Sequence, residues 1–138
     1  MALTRFGVSI NQELVERFDQ SISKKGYSNR SEALRDLIRD SLVDEEWQDS
    51  ESEAVGVVTV VYDHRKKELT HLLTHTQHHH NEAMVSTLHV HLDDNNCLEA
   101  VVLKGKSGEI RKVAELLISA KGVKHGKLVA TTTGKTLV

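Results

Sequence analysis

The first 45 residues are too short a stretch of patterned chain to enclose a core of their own. Residues 4–10, TRFGVSI, alternate apolar and polar positions and predict one strand. Two amphipathic helix patterns follow, one from the N-cap residue Asn11 to Gly26 and one that starts at the capping-box pair Asn29 and Glu32. A lone strand has no partner for its backbone hydrogen bonds, and so short a module buries too little surface. We therefore expect two copies to pair their strands antiparallel and to pack their helices together.

This strand–helix–helix order, with its segment GYSNRSEALRDLIR, resembles the ribbon-helix-helix family of DNA-binding proteins. The resemblance implies that a two-stranded ribbon enters the major groove and that Arg5 and Ser9 read bases. It also implies phosphate contacts at the start of the second helix, from Asn29 and Arg30. Gly7 departs from the family pattern, in which this position of the ribbon carries a polar side chain. The alternative interpretation is a helical dimerisation module whose strand has no binding role.

An acidic run separates this module from the rest of the chain. DEEWQDSESE, residues 44–53, contains no Lys or Arg, and such a run is typical of a solvated connection. We predict a DNA-binding and dimerisation domain over residues 1–45, an acidic linker over 46–54 and a second domain over 55–138. The net charge of −2 gives no global signature of nucleic-acid binding.

Targeting signals and disulfides are not expected. No apolar run approaches the roughly 20 residues that a membrane span needs, and the N-terminus lacks a signal-peptide pattern. The chain has one cysteine, so an internal disulfide is excluded. We expect a cytoplasmic protein that binds no membrane and in which Cys97 is free to act as a ligand or nucleophile.

From residue 55 onward the chain predicts the order strand, helix, strand, strand, helix, strand of a ferredoxin-like fold, which makes the whole protein α+β. The predicted strands are VGVVTVVYD, MVSTLHVHL, CLEAVVLKG and KLVATTT, and the predicted helices are KKELTHLLTHTQHH and EIRKVAELLISAKG. An antiparallel sheet with both helices on one face leaves its other face open to another subunit.

Eight of the nine histidines fall between His64 and His91. Two of them, His89 and His91, lie two positions apart on one predicted strand. His89 and His91 point to the same face, with their Cα atoms about 6.6 Å apart. Pairing His91 with Cys97 across the DDNN turn keeps the apolar residues of both strands on one face, so the apolar pattern selects this register. Those residues are Leu88, Val90, Leu92, Leu98, Ala100 and Val102. We expect this apolar set to face the helices and the three donors to meet on the uncovered face.

Two imidazoles and a thiol are ligands for zinc, copper or nickel rather than for calcium or magnesium. The segment QHHH, residues 77–80, adds imidazoles, although a histidine run at a helix C-terminus also suits the helix dipole. Four ligands in one plane would favour Ni(II) or Cu(II) over Zn(II), and the sequence leaves the geometry open. Two other classes are an amino-acid-sensing regulator and a metalloenzyme. An amino-acid-sensing regulator is disfavoured because metal donors occupy the interface where it would bind its ligand. A metalloenzyme is disfavoured because the sequence shows no evident general acid or base.

Over essentially its full length, the chain resembles the nickel-responsive transcriptional repressors of the NikR type. The segments that carry the resemblance are RFGVSI, GYSNRSEALRDLIR, TQHHHNE, TLHVHLDDNNCLEAVVLKG and KGVKHGKL. The resemblance implies an ACT-like regulatory domain and a homotetramer built as a dimer of dimers. It implies one square-planar Ni(II) per subunit. The ion would be bound by His89, His91 and Cys97 of one subunit and by His78 of another.

The same resemblance implies further roles. Four residues are expected to support the nickel site: Glu99, Tyr62, His64 and Gln77. Glu32 and Asp36 match carboxylates that bind a second cation in this family, and the alternative for this pair is a solvated helix face. The implied function is not enzymatic. It is nickel-dependent binding to a palindromic DNA operator, which represses genes for nickel uptake.

Overall fold

The computed structural model describes residues 2–66, 71–72, 74–76 and 82–138. The chain divides into two compact units, Met1–Ser41 and Leu42–Val138. Within the described residues, no helix has the length and apolar character that crossing a membrane requires.

The N-terminal unit contains two helices that begin at the predicted caps. In α1 (Gln12–Lys24), the side chain of Asn11 accepts a hydrogen bond of 2.9 Å from the backbone N–H of Glu13. In α2 (Arg30–Gln48), the side chain of Asn29 accepts one of 2.9 Å from the backbone N–H of Glu32. Gly26 follows α1 with a φ of +85°, a conformation that glycine adopts without steric cost. The sequence signals for the two helix starts are confirmed.

The predicted strand over residues 4–10 is not formed within the single chain. These residues have no regular secondary structure, and Phe6, Val8 and Ile10 are all more than half exposed. A strand exists through hydrogen bonds to a neighbouring strand, and no other segment of the described chain pairs with residues 4–10. The alternating apolar side chains therefore remain largely exposed in one copy of the chain.

The acidic run is not the fully solvated connection that its charge suggests. Helix α2 continues to Gln48, so residues 46–48 of the predicted linker are helical. Trp47 is only 5% exposed, and its indole N–H donates a hydrogen bond of 2.9 Å to the carbonyl of Thr131. The guanidinium of Arg111 lies 5.2 Å from the centre of the same ring, within cation–π range. Trp47 thus anchors the end of α2 in the second unit, which begins at Leu42.

The second unit is a four-stranded antiparallel sheet with the predicted topology. Its elements are β1 (Glu53–Asp63), β2 (Met84–His91), β3 (Asn96–Lys106), α3 (Ser107–Ile118) and β4 (Val123–Thr131). The strands lie in the order β2-β3-β1-β4, which is the ferredoxin-like arrangement. Between β1 and β2, residues 71–72 and 74–76 are helical. Lys66, the first residue of the predicted helix, is not helical, and its residues 67–70, 73 and 77–79 lie outside the described residues.

The predicted register of the β2–β3 hairpin is confirmed. His91 lies opposite Cys97, Val90 opposite Leu98, and His89 opposite Glu99. Residues that face each other across an antiparallel pair project to the same side of the sheet. The donors therefore share one face, and the apolar residues between them share the other.

The assignment of the covered face was wrong. Helix α3 packs on the side of the sheet that carries Cys97, since Cys97 belongs to the same buried core as Ile110 and Leu117. The apolar residues Leu88 and Val90, expected beneath the helices, are 61% and 37% exposed on the opposite side. Strand alternation shows which residues share a face but not which face a helix covers. In β1 both faces are apolar, so the hydrophobic pattern could not decide between them.

Candidate metal centre

Three of the predicted metal donors converge at one end of the sheet. One ligand atom from each of His89, His91 and Cys97 lies within 4.8 Å of the other two. Cys97 Sγ is 3.4 Å from Nδ1 of His91, its partner across the β2–β3 pair. The imidazole centres of His89 and His91 are 4.9 Å apart. A small movement of side chains would bring all three donors to within bonding distance of a single ion.

The turn that precedes Cys97 fixes this convergence. Oδ1 of Asp93 accepts hydrogen bonds of 2.8 Å from the backbone N–H groups of both Asn95 and Asn96. The side-chain amide of Asn96 also donates to the Asp93 carboxylate, and its carbonyl oxygen accepts a bond of 2.6 Å from Lys124 Nζ. An aspartate that bonds the backbone two and three residues on is a typical turn former. The DDNN segment therefore sets the pairing that places the thiol beside His91.

The donors differ in exposure because His89 and His91 lie on β2, at the edge of the sheet. Among the described elements, helix α3 packs mainly on β1, β3 and β4, on the face that carries the buried Cys97, whereas the residues of β2 from Val85 to His91 are exposed. Cys97 is fully buried, whereas the side chain of His89 is 42% exposed. A further ligand can therefore reach an ion at this site from the side of the two imidazoles.

Tyr62 and Glu99 form a buried hydrogen-bonded pair behind His89. The Tyr62 hydroxyl donates a bond of 3.0 Å to Oε2 of Glu99 and lies 3.4 Å from Nδ1 of His89. Because its only hydrogen goes to Glu99, the hydroxyl oxygen is left to accept from His89, which places a proton on Nδ1. The lone pair of His89 Nε2 is then available to a metal. Burial, and then the charge of Glu99, raises the pKa of Tyr62, so the phenol remains a donor.

The thiol of Cys97 is held in its neutral form when no metal is bound. Burial raises its pKa, and the nearby carboxylates Asp93, Glu99 and Asp63 raise it further. Only the thiolate is a strong metal ligand, so an ion that binds here must displace the proton. The site therefore favours a metal with high affinity for sulfur.

The donor set fits a late first-row transition metal. Two imidazole nitrogens and a sulfur suit nickel, copper or zinc, whereas calcium and magnesium require oxygen. His89, His91 and Cys97 would hold such an ion and leave room for a fourth ligand.

The structure also locates other predicted site residues of this unit. Nδ1 of His64 lies 2.9 Å from the carbonyl oxygen of Asn95, and its ring centre is 5.9 Å from that of His91, edge to face. His64 thus packs beside the cluster and is tied to the turn. Gln77 and His78 lie outside the described residues. Asp93 was predicted only as part of the DDNN turn, although an Asp followed closely by Asn in a strand-to-strand turn is a recognisable signal for these hydrogen bonds.

In the N-terminal unit, the carboxylate of Asp36 accepts hydrogen bonds from a tyrosine and an arginine. Its carboxylate accepts hydrogen bonds of 2.6 Å from the Tyr27 hydroxyl and 3.0 Å from Arg39. The bond from Tyr27, and then the bond from Arg39, lowers the pKa of Asp36. Glu32 lines the same small cavity, together with Arg35. In one copy of the chain, the two carboxylates thus share their surroundings with two arginines.

The residues predicted to contact DNA fall into two groups. Arg5, Gly7 and Ser9 are exposed on the N-terminal segment. Asn29 caps α2, and Arg30 forms two hydrogen bonds of 2.8 Å with the carboxylate of Asp19. Its guanidinium is therefore oriented by α1, and a phosphate at this helix start would compete with Asp19.

Two family models match the chain, one on each side of the acidic run. Residues 4–45 match "Ribbon-helix-helix protein, copG family", and residues 55–131 match "NikR C terminal nickel binding domain".

Full-length relatives agree with both matches. A protein of Thermococcus onnurineus, named as a candidate nickel-responsive regulator, is 55% identical over 138 residues and covers 100% of each chain. A protein of the same name from Geobacter sulfurreducens is 56% identical over 133 residues, or 96% of each chain. One from Pyrococcus furiosus is 52% identical over 138 residues, again with full coverage.

Among solved structures, an uncharacterized protein from Thermotoga maritima shares the fold of part of the chain. It superimposes with a TM-score of 0.51 at 20% identity, over 56% of this chain and 96% of the other. At this level of identity the similarity concerns the fold alone.

Metal binding at this site should weaken as the pH falls. The thiol and one nitrogen of each imidazole must be unprotonated to coordinate, and the raised pKa of the thiol keeps its proton bound when no metal is present. Between pH 7 and 8 the protonated thiol should change the affinity for Ni(II) by about tenfold per pH unit, since one proton is released for each ion bound. Competition titrations with a chelator of known affinity would measure this. Equal affinities at pH 5.5 and pH 8 would contradict the ligand set.

Tyr62→Phe should weaken metal binding without changing the ligands. The variant keeps the buried ring but removes the hydroxyl that orients His89, and losses of such outer partners cost about 10- to 100-fold in metal affinity. The absorption spectrum of the Ni(II) complex should keep its thiolate band. The matched control is Tyr27→Phe, which removes a hydroxyl from the other unit. Equal losses in both variants would mean that the effect does not come from orientation of His89.

Proposed function

The chain belongs to the NikR family of nickel-responsive regulators, and on this basis we propose that it is a nickel-dependent transcriptional repressor of the cytoplasm. The family consists of regulators and not of enzymes, so the metalloenzyme alternative is wrong. The observation that carries the proposal is the convergence of His89, His91 and Cys97 in a chain whose N-terminus matches a DNA-binding family.

We infer that each subunit binds one Ni(II). His89, His91 and Cys97 would supply three ligands, and His78 from a second copy of the chain would supply the fourth. The open side of the site at β2 supports an incoming ligand, because both imidazoles lie at an exposed sheet edge. The amino-acid-sensing alternative gains no support at this end of the sheet, since nitrogen and sulfur donors occupy it.

The tetramer that we propose rests on the uncovered face of the sheet. Its apolar side chains extend over three strands, since Val57 lies opposite Val102 and Val61 opposite Leu98, which in turn lies opposite Val90. Leu88 adds to this surface and is 61% exposed. A largely apolar, exposed face of this kind is typical of a protein interface. A second copy that covers it would join the regulatory units of two dimers.

At the other end of the chain, we propose that two copies pair residues 4–10 as an antiparallel ribbon. This pairing would satisfy the backbone groups that lack a partner strand and bury Phe6, Val8 and Ile10. Arg5, Gly7 and Ser9 would then face the major groove, and Asn29 and Arg30 would lie near phosphates. Gly7 offers no side chain for base contact, and an added Cβ there would meet no atom within 4 Å. Two dimers in one tetramer would read a palindromic operator, and the expected targets are genes for nickel uptake.

The mechanism that we propose is thermodynamic linkage. When bound, Ni(II) would supply a link between the donor cluster of one subunit and His78 of another. The ribbons would then be held in an arrangement that fits both half-sites of the operator. Such coupling is reciprocal, so operator DNA would tighten nickel binding by the same factor. Glu32 and Asp36 are proposed as a second cation site that completes only in the assembled protein.

Arg5→Ala and Cys97→Ala should separate the two halves of this function. The DNA would be a duplex selected from a random pool by the wild-type protein with Ni(II). Arg5→Ala should bind that duplex at least about fivefold more weakly, because a bidentate arginine–guanine contact contributes about 1–3 kcal/mol. It should keep the thiolate-to-nickel absorption band. Cys97→Ala should lose both the band and nickel-dependent DNA binding. Loss of the band in Arg5→Ala would contradict the division of roles.

Mixing two defective chains should restore some nickel sites. Tetramers of His78→Ala chains and tetramers of Cys97→Ala chains should each lack complete sites. After the two are unfolded and refolded together, some sites should combine an intact His78 with an intact His89, His91 and Cys97 set. The recovered thiolate band should be greatest near equal amounts of the two chains. If His78 acts within its own chain, no mixing ratio will restore the band, and the link between subunits is wrong.

A further inference from the structure

An ion pair joins the start of α2 to α1. Nε and Nη2 of Arg30 each donate a hydrogen bond of 2.8 Å to the carboxylate of Asp19. Two parallel bonds of this kind fix the plane of a guanidinium as well as its position. The bonds from Arg30 also lower the pKa of Asp19, so this carboxylate remains charged at neutral pH. Arg30 is therefore a surface arginine whose orientation is set by a second helix.

This arrangement leaves part of the Arg30 side chain free to bind another anion. A guanidinium carries N–H donors on Nε and on both terminal nitrogens, and the bonds to Asp19 use one on Nε and one on Nη2. The other N–H of Nη2 and one N–H of Nη1 form a second parallel fork at the end of the side chain. A phosphate that approached from the side of Nε would compete with Asp19, whereas one that approached this end would not. The Arg30 side chain is 65% exposed, so the free fork is accessible to the DNA backbone.

A guanidinium that is oriented before binding favours the operator over other DNA. Ordering a long side chain on binding costs free energy, and a side chain that is already ordered avoids much of this cost. On the operator, base contacts by the ribbon would keep each phosphate at a fixed position relative to the protein. On unrelated DNA the protein slides, so no phosphate keeps a fixed position. The negative charge of Asp19, in contrast, repels the phosphates of either DNA.

We infer that Asp19 is a positioning residue that raises specificity for the operator by orienting the guanidinium of Arg30 toward one phosphate. The inference rests on the proposed function, in which Arg30 lies near a phosphate, and it adds a role for a residue of α1. Asp19 lowers the affinity for all DNA through its charge, and it recovers affinity for the operator alone through orientation. Specificity is the ratio of the two affinities, and this ratio is thereby increased.

The test measures the affinity of the full chain with Ni(II) for two duplexes: the one selected from a random pool by the wild-type protein, and one of unrelated sequence. Asp19→Asn should bind the unrelated duplex more tightly than the wild type does, because one negative charge is removed. The affinity for the selected duplex should rise less or fall, so the ratio of the two affinities should decrease at least about twofold. Asp19→Ala should give the same decrease. Fluorescence anisotropy of labelled duplexes would give all the dissociation constants.

Glu16→Gln is the matched control for the loss of charge. Glu16 lies on the same helix, and its carboxylate accepts a hydrogen bond of 2.9 Å from the side chain of Gln12. This change should shift both affinities by the same factor and leave their ratio unaltered. Asp19→Asn in a chain that already carries Arg30→Ala should also leave the ratio unaltered, because Asp19 acts only through Arg30.

Three results would overturn the inference: a ratio equal to that of Glu16→Gln, an equal loss of affinity for both duplexes, or a decrease in the ratio that persists in the Arg30→Ala chain. The second result would mean that Asp19 only supports the fold of the N-terminal unit. Arg30→Ala tests the proposed function separately, since it should weaken binding to the selected duplex. If it does not, the phosphate contact of Arg30 is wrong and the inference fails with it. If it does, while Asp19→Asn leaves the ratio unaltered, only the inference fails.

Discussion

The antiparallel pairing of β2 with β3 is the interaction on which the rest of the second unit depends. Asp93 fixes the turn, and the turn places His91 opposite Cys97. A slip of one residue would send the thiol to the other side of the sheet from both imidazoles. The same slip would mix polar side chains into the apolar face. One short hairpin therefore sets both the donor cluster and the surface proposed to join subunits.

The position of this hairpin at the edge of the sheet accounts for the unequal surroundings of the donors. Cys97 lies on the inner strand, under the layer that α3 helps to form, and its pKa is raised there. His89 and His91 lie on the edge strand, where solvent and a further ligand can approach. Burial keeps the reactive thiol neutral and protected in the absence of metal, while exposure keeps the site accessible. Tyr62 and Glu99 connect the two environments, since they are buried yet orient an exposed imidazole.

Trp47 fixes another part of the second unit, the segment near its start at Leu42. Its surroundings in the sequence are acidic, and that composition correctly suggested exposed side chains such as Asp44 and Glu45. It did not indicate that one indole within the run would be buried against Arg111 and hydrogen-bonded to Thr131. The C-terminal end of α2 consequently packs on the core of the second unit through Trp47. Local charge describes most residues of a segment, whereas a single large side chain can decide where that segment packs.

The sequence by itself determined the helix starts at Asn11 and Asn29, the positions of the strands along the chain and the His91–Cys97 register. These follow from local capping and from strict two-residue alternation, which act over a few neighbouring positions. Only the tertiary structure decided which face of the sheet α3 covers, because β1 is apolar on both sides and either face could have been buried. Residues 4–10 carry a clear strand pattern but form no strand in one chain. Their backbone hydrogen bonds require a second strand, and no local pattern can supply one.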